Sequence, residues 1–412
     1  MKNICLYFQI HHPFSFQTFR FFDIGESKSY YNEREIEREI LDAVTNYYLP
    51  TNNYLLKLIH QNKENLKLSF NISCPALDQF LIYAPQLITS FIQLADTGQV
   101  EFTGSTDSNS IISLSDMKYE FIRSIKLNQE RTEYYFGQKP KLFVNTDLLF
   151  NNQIAGIVAE AGYSAILTNG TKKILQWRSS NYLYSTEDQK HIKVLFRNEN
   201  ISNELSSILT NPDKTETRKQ VKELLAAMSA YQTDEPIINI YLNYKSLGGT
   251  NRLEKQRLFQ TFVSKIIKNQ ICNFGLSSQM MEQYGSVSEI GTEEPICWVE
   301  YFNSAYYPGN ELQKDAIRQL YKLSKKVENA ADDNLKTDWK NLQSSDHFHL
   351  MDEGHPDYNL NYSALNTYKS KYDAFINYMN ILEDFRLRLK KEKNKQKSTQ
   401  AHRKSLSSLA KH

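Results

Sequence analysis

Seven short apolar runs recur through the first 243 residues of this 412-residue chain, each followed by a longer segment of mixed polarity. Most of the runs are continuous rather than alternating, which is typical of strands covered on both faces. The predicted strands span residues 4–10, 66–73, 100–103, 142–145, 164–167, 194–196 and 237–243. Amphipathic helical segments lie between them at 35–59, 79–95, 119–136, 154–161 and 217–230. This alternation predicts a parallel α/β fold, as an open sheet or a closed barrel.

The pattern changes after about residue 300, where runs of strand length stop. Helical periodicity with dense charge continues at 312–327, 334–342 and 372–391, and a polar stretch at 352–366 predicts a loop. We therefore predict an α/β domain over residues 1–300, a helical module over 301–392 and a disordered tail over 393–412. No G-x-G-x-x-G or P-loop motif follows a predicted strand, which removes the main sequence support for a nucleotide-binding sheet.

Charge is unevenly spread along the chain, whose formal net charge is +2. From Arg386 to His412 there are ten Lys or Arg and one Glu, a net of +9, so the preceding body carries −7. An acidic body with a basic end is not typical of a nucleic-acid-binding fold. We interpret the basic end as a solvated helix terminus followed by disorder. Electrostatic contact with RNA, a membrane or a protein partner is the alternative.

The four cysteines constrain the compartment. Cys5, Cys74, Cys272 and Cys297 are too far apart in sequence for a metal-binding clip and too few for a disulfide framework. The first apolar run is too short and too polar for a signal peptide. No apolar stretch approaches the ~20 residues of a membrane-spanning helix. We therefore expect a cytoplasmic protein that needs no metal and no other cofactor.

Polar side chains stand at the carboxyl ends of the predicted strands, where a parallel barrel places its site. They are His11, His12, Ser73, Glu101, Asp147, Asn169, Arg197, Asn198 and Asn243. Amides and hydroxyls without a proton-transfer pair suit the binding of sugar hydroxyls better than bond cleavage. Because adjacent residues of a strand face opposite sides, His11 and His12 are not expected to share a metal ion. The acidic and histidine side chains of 346–355 are expected to hydrogen-bond at the surface.

Five motifs occur in fixed order along most of the chain. They are LYFQIHHPFSF at 6–16, GQVEFTG at 98–104, KLFVNTDLLFNNQIA at 141–155, IINIYLNYKSLGG at 237–249 and EPICWVEYFNSAYYPGNELQ at 294–313. With these motifs the sequence resembles glycoside hydrolase family 57, in its α-amylase-type branch, over roughly residues 3–385. The resemblance implies a seven-stranded (β/α) barrel, related to the TIM barrel, followed by an α-helical bundle. It also implies a retaining mechanism on α-glucans, in which two carboxyl groups stand ~5–5.5 Å apart.

The resemblance also implies roles for individual residues. Asp147 occupies the position of the catalytic nucleophile, and Asn243 occupies that of the general acid/base. Glu101 is expected either to contact sugar or to form hydrogen bonds inside the barrel. The expected substrate-binding residues are thus His11, Glu101 and Trp298, the last by stacking on a sugar ring.

Both catalytic positions depart from the family pattern. Asp147 replaces the expected Glu and withdraws the carboxylate by one methylene, and a misplacement of ~1 Å can cost ~10²-fold in rate. Asn243 replaces the expected Asp, and an amide cannot give the acid–base assistance that is typically worth about 10²–10⁴. Other departures from the pattern are Asn109, Val144, Asn169, Lys245, Gly249, Thr250, Asn303 and Tyr307.

These departures predict an α-amylase-like protein of glycogen or starch metabolism that is catalytically impaired or inactive and retains carbohydrate binding. The alternative is an active retaining hydrolase or transglycosylase that uses Asp147 with an unrecognised proton donor, such as Glu101 or another carboxylate. The expected partner is an α-glucan or maltooligosaccharide, with a protein of glycogen metabolism as a further candidate. Neither membrane nor nucleic acid is expected as a partner. Of the other tryptophans, Trp177 is a second candidate for stacking, and Trp339 is expected to pack between helices.

Overall fold

The computed structural model describes residues 2–187, 192–212, 217–231, 234–298, 309–352 and 368–409. They form two units. The first comprises Met1–His12 and Glu37–Tyr307, and the second comprises Pro13–Ile36 and Pro308–His412. The early segment 13–36 therefore belongs with the C-terminal helices, an arrangement that the predicted order of 1–300 and then 301–392 does not contain. The predicted loop at 352–366 lies, beyond its first residue, outside the described residues.

A mostly parallel sheet of ten strands lies in the described part of the first unit. The strands are β1 (Asn3–Ile10), β2 (Leu68–Ile72), β3 (Val100–Phe102), β4 (Leu142–Val144), β5 (Ala165–Asn169), β6 (Tyr184–Thr186), β7 (Lys193–Arg197), β8 (Ile237–Asn243), β9 (Asn273–Phe274) and β10 (Glu289–Ile290). All seven predicted strands are present, as β1–β5, β7 and β8. The other three are two or three residues long, and so short a run carries no readable periodicity.

The long strands pair in parallel. β8 pairs with β1, β1 with β2, β2 with β3, β4 with β5, and β5 with β7, while β7 meets β8 through Arg197 and Asn239. Just after β3, Gly104 forms a parallel bridge with Phe143 on β4. A side chain at Gly104 would collide with the ring of Tyr163, so this close approach requires glycine.

Helices follow most of the strands. They are α1 (Glu33–Ala43), a π-helical turn (Val44–Tyr48), α2 (Leu49–Asn62), α3 (Cys74–Tyr83), α4 (Pro85–Ala95), α5 (Lys118–Phe136), α6 (Asn152–Glu160), α7 (Lys172–Leu175), α8 (Glu199–Thr210), α9 (Thr217–Ala230), α10 (Arg252–Lys268) and α11 (Ser277–Gln283). The single helix predicted at 79–95 is divided at Ala84. Pro85 has no N–H to donate, and its ring excludes the helical conformation from the residue before it.

The strands separate two cores, because successive side chains of a strand point to opposite faces. On β1, Ile4, Leu6 and Phe8 pack with the helices in a first core. Cys5 and Tyr7 point the other way, into a second core with side chains of β4, β5, β7, β8 and α11. The faces that these cores occupy are called the first and second face below. Every second residue of β1 therefore lies on the second face, up to the carboxyl end of the strand.

The second unit is helical in its described part. After a 3-10 turn at Phe21–Asp23, its helices are α12 (Glu311–Tyr321), α13 (Ser324–Glu328), α14 (Asp333–Leu342), α15 (Ser345–His349) and α16 (Lys371–Leu409). Trp339 is buried on α14. Its ring centroid lies 6.1 Å from that of Tyr321 on α12 and 6.2 Å from that of Phe385 on α16, on which it stacks, so it packs between helices as predicted.

Helix α16 continues through most of the basic end of the chain. Among the residues whose burial is described, Leu389 is the last buried one. The helix includes residues 393–409, for which the sequence predicts disorder, and that expectation stays a prediction. Within the described part of the chain, no helix has the length and apolarity needed to cross a membrane.

Candidate functional site

The second face becomes polar at the carboxyl ends of the strands. Gln9, on β1, is the Cα partner of both Asn71 on β2 and Asn243 on β8. Asn169 and Arg197 end β5 and β7, where they are Cα partners of each other. We use the name strand-end site for the polar and aromatic residues gathered at these strand ends: His11, Asn71, Asp147, Asn169, Arg197, Tyr241, Asn243 and Trp298.

Asp147 lies in a tight turn directly after β4. Asn145 starts this turn: its Oδ1 accepts from Thr146 N (3.0 Å), and its Nδ2 donates to Leu149 O (3.0 Å). Asp147 and Leu148 both have left-handed backbone angles, with φ of 53° and 52°. This conformation is uncommon outside glycine and is costly for a leucine. Such strain persists only where the surroundings fix it, which happens most often at functional sites.

Trp298, which is distant from this turn in sequence, forms two hydrogen bonds with it. Its backbone N donates to Asp147 O (3.1 Å), and its indole Nε1 donates to Asp147 Oδ1 (3.4 Å). The indole is half-buried and packs against the second core. Two residues 151 positions apart in sequence are thereby brought together, as the predicted site requires.

The charges of Asp147 and Arg197 both act on the hydroxyl of Tyr241. Its ring is buried in the second core. Burial raises the pKa of its hydroxyl, the positive charge of Arg197 opposes that rise, and the carboxylate of Asp147 adds to it. Burial also lowers the pKa of the Arg197 guanidinium to about 10, against the opposing influence of Glu199 and Tyr241. The charges of Asp147 and Arg197 therefore both act on Tyr241, and the charge of Glu199 acts on Arg197.

Asn243 ends β8 and caps the turn that follows it. Its Oδ1 accepts from Lys245 N (2.9 Å), so the side-chain oxygen points at the backbone of the following turn. The side chain is half-buried. Farther along the turn, Tyr47 packs against Gly248 and Gly249, and a Cβ at either glycine would overlap it. Gly249 also has a φ of 69°. A glutamate at Gly249, which the family pattern implies, cannot fit while Tyr47 occupies this place.

Both ring nitrogens of His11 are engaged. Nδ1 lies 2.6 Å from Ser73 Oγ, and Nε2 lies 3.2 Å from Asn109 Nδ2. His12 is buried, and its carbonyl accepts from Gln79 Nε2 (2.8 Å). The two histidines thus have separate surroundings.

Glu101 is not brought together with the other predicted site residues. Its Oε1 accepts from Ser69 Oγ (2.9 Å) and Ser277 N (2.7 Å), and its Oε2 accepts from Ser278 N (3.2 Å) and Ser278 Oγ (2.7 Å). Ser277 and Ser278 stand at the start of α11, just after β9, which pairs with the amino end of β1, whereas Ser69 lies on β2 opposite Glu101. The carboxylate therefore anchors the start of α11 through hydrogen bonds, which corresponds to the second of the two alternatives given for it above.

Two members of the histidine and acidic cluster, Asp346 and His347, are buried, so the expectation of surface hydrogen bonding is wrong for them; His349 and Asp352 are partly exposed, and Glu353 and His355 lie outside the described residues. Asp346 and His347 have 1% and 5% of their surface exposed. The His347 ring stacks on Phe16 with centroids 3.9 Å apart, and its Nε2 donates to Asn341 O (3.0 Å). Within the described ranges, no three His, Cys, Asp or Glu side chains come together in a way that could hold a metal ion.

Two further placements complete the comparison with the sequence prediction. Trp177 is 86% exposed beside Arg178 and is not among the strand-end residues. Tyr241 was not singled out, although the polar or hydroxyl-bearing residues Asn239, Tyr241 and Asn243 alternate along the predicted strand. That two-residue spacing places all three on the same face of β8.

A mostly parallel α/β sheet with polar side chains gathered at its strand ends is the arrangement in which proteins of this class usually hold a ligand. The family model for Glycosyl hydrolase family 57 matches residues 5–292. The chain belongs to this family.

Relatives support the same placement. A protein of Methanocaldococcus jannaschii that carries the provisional name alpha-amylase is 28% identical over 378 residues, which cover 87% of this chain and 79% of that protein. Among solved structures, a GH57 branching enzyme of Thermococcus kodakaraensis has a TM-score of 0.65 at 12% identity, with 85% of this chain and 86% of that chain covered. The alpha-amylase AmyC of Thermotoga maritima has a TM-score of 0.60 at 13% identity, with 94% and 96% covered.

A third solved structure is longer than this chain. The 4-alpha-glucanotransferase of Thermococcus litoralis has a TM-score of 0.64 at 13% identity, and the match covers 84% of this chain but only 56% of that chain. At these identities, the structural likenesses establish the α/β fold of the family.

Proposed function

We propose that this chain is an α-amylase-like protein that binds α-glucans such as glycogen or starch and does not hydrolyse them. The observation that carries the proposal is the side chain of Asn243. At the acid/base position stands an amide, and its oxygen is committed to Lys245 N at 2.9 Å. An amide can neither protonate the leaving oxygen of a glycoside nor take a proton from water.

The turn after β8 supports the same conclusion. Tyr47 packs against Gly248 and Gly249, and a side chain at Gly249 would overlap the tyrosine ring unless that ring moved. Asp147 retains a carboxylate at the nucleophile position, but it is one methylene shorter than glutamate. A retaining mechanism needs two carboxyl groups ~5–5.5 Å apart across the scissile bond. The strand-end site retains only the first of the pair at its expected position.

The pairings between strands support a closed barrel of seven parallel strands. β3 reaches β4 through the Gly104 bridge, and β7 reaches β8 through Arg197 and Asn239. With the five longer parallel ladders, these contacts give each of the seven strands a neighbour on both sides. We propose that this barrel carries the glucan site at its carboxyl end and that the helices of the second unit form the family's bundle.

Three side chains of the strand-end site suit the binding of glucan. The half-buried indole of Trp298 offers an apolar face for a sugar ring, while its Nε1 points at Asp147. His11 is half-buried with both ring nitrogens in hydrogen bonds, and the amide nitrogen of Asn243 can donate to a sugar hydroxyl. Glu101 is left out of the proposed site because serines at the start of α11 occupy both of its oxygens.

Calorimetry with maltooligosaccharides tests the binding proposal. We expect wild type to bind with Kd in the range of about millimolar to micromolar, which is typical of a few polar contacts and one stacking ring. Trp298→Ala should weaken this binding by about tenfold or more, whereas Trp177→Ala, the matched control on an exposed tryptophan, should leave it unchanged. Failure of wild type to bind any of these glucans would contradict the proposal and favour a protein partner of glycogen metabolism.

A second candidate function is hydrolysis or glucan transfer that uses Asp147 with a different proton donor. The observation that favours it is the strained pair of left-handed residues Asp147 and Leu148, which the indole and backbone of Trp298 hold in place. A turn without function gains nothing from this strain. Glu199, which acts on the charge of Arg197, is the candidate donor among the described residues.

A further inference from the structure

Arg197 is a buried cation, and within the described residues no carboxylate forms a hydrogen bond with it. Only 5% of its surface is exposed. Its Nη1 donates to Asn169 Oδ1 (3.3 Å), and its Nη2 donates to Asn203 Oδ1. Both acceptors are neutral amides, and no acceptor among the described residues bonds to Nε. A buried arginine is normally paired with an anion, because burial of an unpaired charge is expensive.

A second unsatisfied donor lies beside the first. Asn169 is fully buried, and it is the Cα partner of Arg197 across β5 and β7. Its Oδ1 is used by Arg197, and no acceptor in the described part of the chain bonds to its Nδ2. Buried polar groups are nearly always hydrogen-bonded, so two orphaned N–H donors on neighbouring strand ends point to an absent acceptor.

The charges around Arg197 do not compensate for the burial of its guanidinium. Glu199 at the start of α8 and Tyr241 both act to raise the pKa of Arg197, and Asp147 acts on Tyr241. Even so, burial keeps the pKa of Arg197 lowered to about 10, so desolvation outweighs both influences. The other polar side chain of the strand end at β8, Asn243, is neutral. A charged oxygen acceptor would relieve the desolvation of Arg197 directly.

We propose that the strand-end site takes an α-glucoside that carries an oxyanion substituent, a phosphate ester or a carboxylate, and that this group pairs with the guanidinium of Arg197. The proposal rests on the proposed function, since it names the kind of glucan that the site prefers. An oxyanion offers Arg197 the charged acceptor that its neutral amide partners do not, and charge-assisted hydrogen bonds are about twice as strong as neutral ones. A neutral glucosyl unit satisfies the donors with hydroxyl oxygens only.

Binding of matched probes to the full-length protein tests this. The probes are methyl α-glucoside, α-glucose 1-phosphate, glucose 6-phosphate, methyl α-glucuronide and inorganic phosphate, each titrated by calorimetry at low salt. We expect one phosphorylated or carboxylated sugar to bind at least about tenfold more tightly than methyl α-glucoside and than inorganic phosphate. The two phosphates and the glucuronide identify which oxyanion, and which position on the sugar, the site accepts.

Two variants and one control assign the effect to the proposed residues. Arg197→Met keeps the length of the side chain and removes its charge, and it should abolish the tenfold preference. Asn169→Asp places a carboxylate against Arg197 and should also abolish the preference for charged sugars. This second variant keeps the test informative if Arg197→Met does not fold. Arg257→Met removes an exposed arginine that pairs with Glu254 at 3.5 Å, and it should change nothing.

The outcomes separate this proposal from the proposed function. Equal binding of charged and neutral sugars, or a preference that survives in both variants, overturns the oxyanion site and leaves glucan binding standing. Binding of charged sugars without measurable binding of neutral glucans, lost in Arg197→Met, supports the oxyanion site and contradicts a general glucan binder. Binding of inorganic phosphate as tight as that of either sugar phosphate overturns the α-glucoside part of the proposal.

Discussion

Replacement of Glu101 by Gln is predicted to destabilise the first unit by about 1–4 kcal/mol and to leave glucan binding unchanged. In the native chain, Oε1 accepts from Ser277 N at 2.7 Å and Oε2 accepts from Ser278 N at 3.2 Å. A glutamine retains one oxygen and turns the other into an N–H donor. Whichever way the amide lies, one of the two backbone N–H groups at the start of α11 loses its acceptor.

The size of the effect follows from these contacts. A buried N–H that loses its acceptor costs about 1–3 kcal/mol, and loss of a negative charge beside a helix N-terminus adds about 0.3–1 kcal/mol. The hydroxyls of Ser69, Ser277 and Ser278 contribute little to the loss, because they can rotate and accept from the new NH₂ group.

Urea unfolding followed by circular dichroism measures this change, and calorimetry with a maltooligosaccharide measures binding by the same variant. Glu130→Gln, on the exposed surface of α5, is the matched control and should alter neither quantity. Unfolding of Glu101→Gln identical to that of wild type would refute the anchoring role. A folded variant that no longer binds glucan would return Glu101 to the sugar site.

Other predictions concern the second unit and the strand-end turn. Burial lowers the pKa of His347 to about 4, although Asp346 and the carbonyl of Asn341 oppose the shift, so the folded chain takes up this proton later than the unfolded chain does as pH falls. Between about pH 6.5 and 4, the free energy of unfolding should therefore fall by about 1.4 kcal/mol per pH unit, and urea titrations of His347→Phe should show a shallower slope. Limited trypsin digestion should trim the basic end and leave a stable core of about 390 residues, because polar Lys, Gln and Ser runs bury little area; lasting protection of residues 405–409 would contradict this. Leu148→Gly removes the backbone strain of a left-handed leucine but also removes a buried side chain. The net effect should be a destabilisation of about 1–3 kcal/mol, measured by urea unfolding. A gain in stability would show that the strain costs more than the packing contributes.

The strands of the first unit were predictable because each is a buried apolar run bounded by polar residues. β8 has the predicted bounds, Ile237–Asn243. The break between α3 and α4 was missed although Pro85 marks it, because the amphipathic spacing continues across the proline. The place of segment 13–36 in the second unit was not predictable from periodicity, since the pattern reports which residues are buried and does not report against what they pack.

The residues of the candidate site were likewise predictable only in part. Asp147, Asn243 and Trp298 were identified from motifs, and the first and last of these are in contact. Glu101 was assigned to the strand ends although β3 is only three residues long and the glutamate is its middle residue, opposite Ser69 near the start of β2. Register decides the end of the sheet at which a side chain lies, and register cannot be read from the residues of a single strand. The orphaned donors of Arg197 and Asn169 depend on tertiary packing alone.

Release of reducing ends from amylose by the purified chain tests the central claim most directly. With Asn243 at the acid/base position, wild type should release none above background, and a glucoside with an activated aryl leaving group should react slowly at most, since it needs no proton donor. The double variant Asp147→Glu with Asn243→Asp restores the carboxyl pair and should gain little or no activity, because Tyr47 still packs against the turn at Gly249. Robust turnover of amylose by wild type, abolished in Asp147→Ala, would contradict the account and establish the chain as an active enzyme.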